Sequence, residues 1–237
     1  MIDKIKLDHI LFLDIETVPE NEHFSMLDHD MQSLWEHKTQ YQRKDDMSAA
    51  DFYERAGIWA EFGKIICISV GFFLTKSDVR NFRVTTFFGD EVKILSDFNQ
   101  LINQHFSQPQ HVLCGHNSKE FDIPFLARRM IIKGIAIPAK LHLFGKKPWE
   151  IPHLDTLELW KFGDYKHYTS LKLLSKILQI PTSKDDIDGS QVAEVYYKNK
   201  DIDRIIIYCE KDVVAVAQIF LRLRREPLLI EEEIIHV

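Results

Sequence analysis

Residues 9–15, His-Ile-Leu-Phe-Leu-Asp-Ile, are apolar at nearly every position. A strand that is apolar on both faces has to be covered on both faces, so this run reads as a short buried strand inside a layered α/β molecule. It ends on charge, at Asp14-Ile15-Glu16-Thr17. Residues two apart on a strand share a face, so Asp14 and Glu16 project together. Two carboxylates side by side repel, and hiding them is costly unless a cation joins them. The alternative is that the strand stops at Asp14 and both acids are solvated turn residues.

The rest of the chain fills in the layers. Residues 64–75 and 79–88 are β-branched and aromatic, joined by Lys76-Ser77-Asp78, and predict a hairpin. Helical spacing follows at 90–106, then a short strand at 111–114 ending at Gly115. A helix is expected from Asp122 to Lys133, with Pro124 in its first turn, where proline is tolerated. Further helices are expected at 154–162, 169–179, 189–199 and 201–225. Residues 16–60 show no strand pattern, although Ser48-x-x-Asp51 resembles a capping box ahead of a short helix. Their aromatics Phe24, Trp35, Tyr41, Phe52 and Tyr53 either pack a core or form a stacking surface. With no repeat and no evident linker, the 237 residues fit one domain spanning 1–237, a mixed β-sheet flanked by α-helices with a C-terminal tail at 226–237.

Charge and cysteine usage narrow the partners. A net charge of −6 argues against gripping nucleic acid by a broad basic surface, although bound divalent cations would supply positive charge locally. No apolar run approaches the ~18–20 residues a membrane helix needs, and the first ten residues, MIDKIKLDHI, lack a signal-peptide core. Cys67, Cys114 and Cys209 lie far apart with no C-x-x-C spacing. They read as small buried hydrophobes in a reducing cytoplasm, not as a disulfide scaffold or zinc site.

Two more clusters carry candidate chemistry. Gly115-His116-Asn117-Ser118-Lys119-Glu120-Phe121-Asp122 joins a strand end to a helix start, where α/β sheets commonly build sites. Asp122 there is either a ligand or the N-cap of its helix. Tyr208-Cys209-Glu210-Lys211-Asp212 falls in the last helix, where Tyr208 and Asp212, four apart, share a face at the apolar border. Other features read more plainly. Lys184-Asp185-Asp186-Ile187-Asp188-Gly189 resembles half a calcium loop, but an EF-hand in that register needs an acid at 184 and Glu at 195, where Lys184 and Val195 stand. Asp155 reads as a helix cap, with a place near the acids as the alternative. Lys146 and Lys147 beside Trp149 either meet a phosphate or stay solvated.

In order, FLDIET, NSKEFD and YCEKD resemble the three motifs of the DEDD superfamily of 3′→5′ exonucleases. The third motif is of the tyrosine type: Tyr208 stands four before Asp212, whereas the histidine type would need His at Ile207. EFGKIICISVG and SLKLLSKILQIPTSKDDIDGSQVAEVYY extend the likeness to a bacterial group related to the exonuclease domain of family B DNA polymerases, over about residues 9–222. The resemblance implies an RNase H-like fold and a stand-alone enzyme acting on the 3′ ends of single-stranded DNA or RNA, DNA ahead of RNA. It implies two divalent ions, Mg²⁺ or Mn²⁺, about 3.5–4 Å apart, which oxygen ligands suit. Asp14 would bridge both ions, Glu16 and Asp212 would complete one, and Asp122 would hold the other. Tyr208 would orient the attacking water, and Thr17, Asn117 and Phe121 would meet the terminal nucleotide. Two alternatives stand beside it. One is a catalytically inactive nucleic-acid-binding module of the same fold, although no acid of the four is missing. The other is an aspartate-nucleophile phosphatase, since Asp14-Ile15-Glu16-Thr17 approximates D-x-D-x-T with Glu16 in place of the second Asp.

Overall fold

The computed structural model describes residues 2–44, 46–76, 79–164, 166–181 and 187–237. In chain order the elements are β1 (Ile10–Pro19), α1 (His29–Thr39), α2 (Ala49–Phe52), β2 (Gly63–Lys76) and β3 (Val79–Phe88). Then come α3 (Glu91–His105), β4 (Val112–Gly115), α4 (Asp122–Ile132), β5 (Leu154–Asp155) and α5 (Thr156–Lys161). The chain continues through α6 (Leu171–Ile177), α7 (Val192–Glu194), α8 (Ile202–Leu223) and β6 (Ile234–His236).

The strands form one mixed six-stranded sheet in the order β5-β4-β1-β2-β3-β6. β1 runs antiparallel to β2 and parallel to β4, while β3 pairs antiparallel with β2 and parallel with β6. β1 is therefore interior, and its alternation divides the core. Leu11, Leu13 and Ile15 face α3 and α4, where Phe98, Phe125 and Leu126 pack. Ile10 and Phe12 face α8, against Val213, Val216, Ala217 and Phe220. Phe12 meets Phe73, Phe82 and Phe220 edge to face with centroids 5.7–5.8 Å apart. Each such buried ring contributes about 1.5–3 kcal/mol. α8 lies close enough to the sheet that a Cβ on Gly71 would come within 2.8 Å of Val213 and 2.3 Å of Phe82.

Several expectations are met and several need correction. The hairpin of β2 and β3 forms with Val70 opposite Thr85; its turn residues 77 and 78 lie outside the described residues, as do 184–186 of the calcium-loop decoy. The capping box is present, with the Ser48 hydroxyl accepting from Asp51 N–H and the Asp51 carboxylate accepting from Ser48 N–H. The helix it opens is only four residues long and passes into a 3₁₀ stretch at Tyr53–Ile58. Residues 29–39, where no helix was expected, form α1, capped by Asp28. Trp35, Phe52 and Tyr53 are buried in a cluster with Ala56 and Phe62, so these aromatics pack a subsidiary core instead of a stacking surface. Tyr41 alone of the five named is fully exposed. β1 continues to Pro19, past both acids, and residues 154–155 are a strand before α5.

Candidate active site

The site forms where β1, the start of α4 and the middle of α8 meet. On β1, Asp14 pairs across to Ser69 and Glu16 to Cys67, and a register shift follows between Glu16 and Thr17. Phe12 and Val18 pack on the α8 side, so the alternation aims Asp14 and Glu16 at α8. Glu16 is buried and Asp14 half-buried. The solvated-turn alternative does not hold.

α8 brings Tyr208, Cys209 and Asp212. Its buried positions Ile205, Cys209, Val213 and Val216 follow a helical stripe, and Tyr208 and Asp212 flank that stripe on one side. The Tyr208 hydroxyl donates a hydrogen bond to Asp212. The Cys209 thiol lies 3.3 Å from Asp14 Oδ2 and donates to it, and one oxygen each of Asp14 and Glu16 lies within 4.8 Å of the Cys209 sulfur. Sequence reasoning missed Cys209 as part of the site. Its partner Asp14 lies 195 residues away, so no local pattern announces it.

Asp122 arrives from the other face. It begins α4, but the cap position belongs to Phe121 and carries no side-chain capping bond. The Asp122 carboxylate instead accepts from Ile15 N–H on β1, at 3.1 Å. That bond pins the helix start beside the two acids of the strand. Asn117 sits in the left-handed region, φ 61°, on the loop before it, a conformation that asparagine tolerates better than most residues. Phe121 is half-buried and packs on Phe125 at 5.4 Å. Thr17 is half-buried, just past the register shift.

Burial and mutual repulsion set the electrostatics. Asp14 is held well above the usual carboxylate range, first by burial and then by the charges of Asp122 and Asp212. Glu16 is raised by burial and then by Asp14, with smaller contributions from Asp212 and Asp122. Asp122 is pushed up to about 7 by burial, against the opposing pull of its own and Ile15's N–H groups. Burial, followed by Asp212, drives the Tyr208 hydroxyl far above its ordinary value, so Tyr208 is a neutral donor and not a base. Burial likewise keeps the Cys209 thiol protonated. Buried acids held up by neighbouring carboxylates, as Asp14, Glu16 and Asp122 are, form a set that cations would relieve. Their donors are predominantly oxygen, which suits hard divalent ions.

Comparisons with known proteins give the chain a family and a fold. The model of a family described as predicted 3′–5′ exonucleases related to the exonuclease domain of polymerase B matches residues 58–233. That stretch contains Asp122, Tyr208 and Asp212, and lies after Asp14 and Glu16. No curated protein matches the chain. Among solved structures, a family B DNA polymerase from the hyperthermophilic archaeon Pyrobaculum calidifontis is similar over 90% of this chain, at a TM-score of 0.50 and 15% identity. The chain spans 24% of that polymerase. The likeness carries the fold, an α/β RNase H-like sheet with flanking helices. Among the described residues, no helix is long and apolar enough to cross a membrane.

Proposed function

For a chain that belongs to the family of predicted 3′–5′ exonucleases related to the polymerase B exonuclease domain, we propose stepwise removal of mononucleotides from the 3′ end of single-stranded nucleic acid. The observation that supports this reading is the pairing of Asp14 and Glu16 on β1, with the Asp122 and Asp212 carboxylates near enough to raise the pKa of both, beside a neutral tyrosine hydroxyl. Asp14, Glu16 and Asp212 would hold one divalent ion, with Asp14 shared by a second that Asp122 completes; Mg²⁺ and Mn²⁺ are the ions of choice. Bound there, such ions would polarise the scissile phosphate and make water a stronger nucleophile.

The chain's own groups do the rest. Tyr208 donates a hydrogen bond to Asp212 and keeps its proton, so the lone pairs of its oxygen would accept from a water and orient it. Cys209 holds the Asp14 carboxylate by its thiol. Thr17, Asn117 and Phe121 would receive the terminal nucleotide. One exposed ring stands near the acids: Tyr168, 66% exposed, whose hydroxyl feels the charges of Asp155 and Asp122. Rings of this kind stack on unpaired bases whatever their sequence, and unstacking a paired end costs a few kcal/mol. Both favour single strands. The likeness to a DNA polymerase favours DNA over RNA, and three free buried cysteines suit a single-domain protein of a reducing cytoplasm.

Incubation with 5′-labelled single-stranded DNA and RNA tests this reading. The expected result is a ladder of products shortened one nucleotide at a time, dependent on Mg²⁺ or Mn²⁺ and abolished by EDTA. Full turnover in excess EDTA, or immediate release of the labelled 5′ nucleotide, would refute it.

A further inference from the structure

The Asp155 carboxylate joins two segments that lie 36 to 38 residues apart in the sequence. It is 2% exposed. As the N-cap of α5, its Oδ1 accepts from Leu157 N–H at 2.9 Å and Glu158 N–H at 3.4 Å. The same carboxylate reaches across 36 to 38 residues to the loop before α4. Oδ1 accepts Asn117 N–H at 2.9 Å, and Oδ2 accepts Lys119 N–H at 3.0 Å. A helix cap needs only the first pair.

The second pair acts where the backbone is under strain. Asn117 is held at φ 61°, and such a conformation persists only when its surroundings enforce it. The loop is tight as well: a Cβ on Gly115 would lie 2.5 Å from Ser118 Cβ. Asn117 O then accepts from Phe121 N–H at 3.0 Å, and Ser118 O from Ile123 N–H at 2.9 Å. The loop's geometry is thereby handed to the first turn of α4, where Asp122 stands. A second clasp runs alongside. In its neutral form His116 donates from Nε2 to Thr169 O at 2.9 Å, and its Nδ1 lies 2.9 Å from the Thr156 hydroxyl, whose proton is shared with Gly115 O at 3.2 Å. Burial lowers the His116 pKa, which fits that neutral form.

We infer that Asp155 is a positioning residue: it sets the loop 115–121 so that Asp122 meets the acids of β1. This rests on the proposed role of Asp122 as a ligand. Asp155 touches neither substrate nor ion; it acts through Asn117 and Lys119.

The test separates capping from positioning. Serine caps helices about as well as aspartate but is too short and has too few acceptors to hold the loop. Asparagine keeps one carbonyl oxygen for the bonds made by Oδ1 and puts an amide donor against Lys119 N–H. Asp155→Ser, Asp155→Asn and, as a control, Asp90→Ala are compared with the wild-type chain. Asp90 caps α3 through Val92 and Lys93 N–H and lies outside the proposed machinery. The readouts are melting temperature, Mn²⁺ binding by calorimetry, and the single-turnover rate and KM on a single-stranded oligonucleotide. Changes to groups that orient metal ligands typically cost 10–100-fold. Asp155→Ser should therefore weaken binding of one of two Mn²⁺ ions by about tenfold and slow the single-turnover rate by about 10–100-fold, with KM little changed. Asp155→Asn should fall between it and wild type. Asp90→Ala should lose a similar amount of melting temperature with no change in rate or Mn²⁺ binding.

Wild-type Mn²⁺ affinity and rate in Asp155→Ser would overturn the inference and leave the proposed function standing. So would an equal loss of rate in Asp90→Ala, which would trace the effect to general destabilisation. A wild-type chain that neither binds Mn²⁺ nor shortens the oligonucleotide would remove the proposed function, and this inference with it.

Discussion

Asp122 concentrates the conflict between folding and chemistry in one carboxyl group. Its ordinary pKa of 3.8 is pushed up to about 7 in the fold, chiefly by burial. A raised acid pKa means the folded chain holds that proton more tightly than the unfolded chain. The resulting penalty is absent below about pH 4, grows as pH rises toward 7, and is complete above it. Its upper bound is about 4 kcal/mol. In EDTA, Asp122→Asn should therefore melt higher than wild type at pH 8 and at nearly the same temperature at pH 4, by scanning calorimetry, while its nuclease activity is lost. If the variant melts no higher at pH 8, the carboxylate is not a source of strain. The pairing of Asp14 with Glu16 and of Tyr208 with Asp212 was legible because each pair lies in a short motif of fixed internal spacing. Cys209 and Asp155 were not, because their partners are tertiary. Cys209 meets Asp14 across 195 residues, and the second half of Asp155's bonding lies 36 to 38 residues upstream. A cap was all that local sequence could show.

At the scale of elements, α8 matters most. It covers one face of the sheet through Val213, Val216, Ala217 and Phe220, and the same rotation that buries this stripe turns Tyr208 and Asp212 toward β1. Placement and packing are thus one constraint, and the two residues can be separated by chemistry. Asp212→Ala should lose cation binding and nearly all activity. Tyr208→Phe removes only a hydroxyl, so Mn²⁺ binding by calorimetry should survive while the single-turnover rate falls about 10²–10⁴-fold. An unchanged rate would make Tyr208 a packing residue. Composition and periodicity located α8, α3 and the β2–β3 hairpin well, because each is long. It failed where elements are short or where the environment decides. β5 has two residues, too few for any pattern. The aromatics of residues 16–60 read equally as surface or core until Trp35 is seen buried, its indole N–H donating to Ala49 O at 2.8 Å. β1 runs through its acids because Asp14 and Glu16 keep their pairing with β2, and no local preference announces that.

At the scale of the whole molecule, the tail closes the sheet. Residues 226–237 read as a loose extension, yet Ile234, Ile235 and His236 pair in parallel with Phe82, Arg83 and Val84. The pairing was invisible in the sequence because the strand has three residues and its partner lies about 150 residues upstream. Side chains hold it in place. Arg80 forks onto both oxygens of Glu233 at 2.9 and 2.8 Å, and the Gln218 amide exchanges two hydrogen bonds with the Leu229 backbone at 2.9 and 2.8 Å. His236 also meets Glu210, between Tyr208 and Asp212 on α8, at 2.7 Å. Removal of residues 227–237 would leave the buried Gln218 amide unpaired, at about 1–3 kcal/mol. Losing the buried Leu229 side chain adds about 1.5–3 kcal/mol, whereas the partly exposed Arg80–Glu233 pair adds at most about 1 kcal/mol. At about 2–4 °C per kcal/mol for a chain of this size, the melting temperature should fall by roughly 10 °C. The bared edge of β3 would also offer unpaired backbone groups to another molecule. Size-exclusion chromatography of the shortened chain should therefore show self-association that the full chain lacks. A shortened chain that melts with the full one and elutes at the same volume would mean that β3, not β6, is the true edge of this sheet.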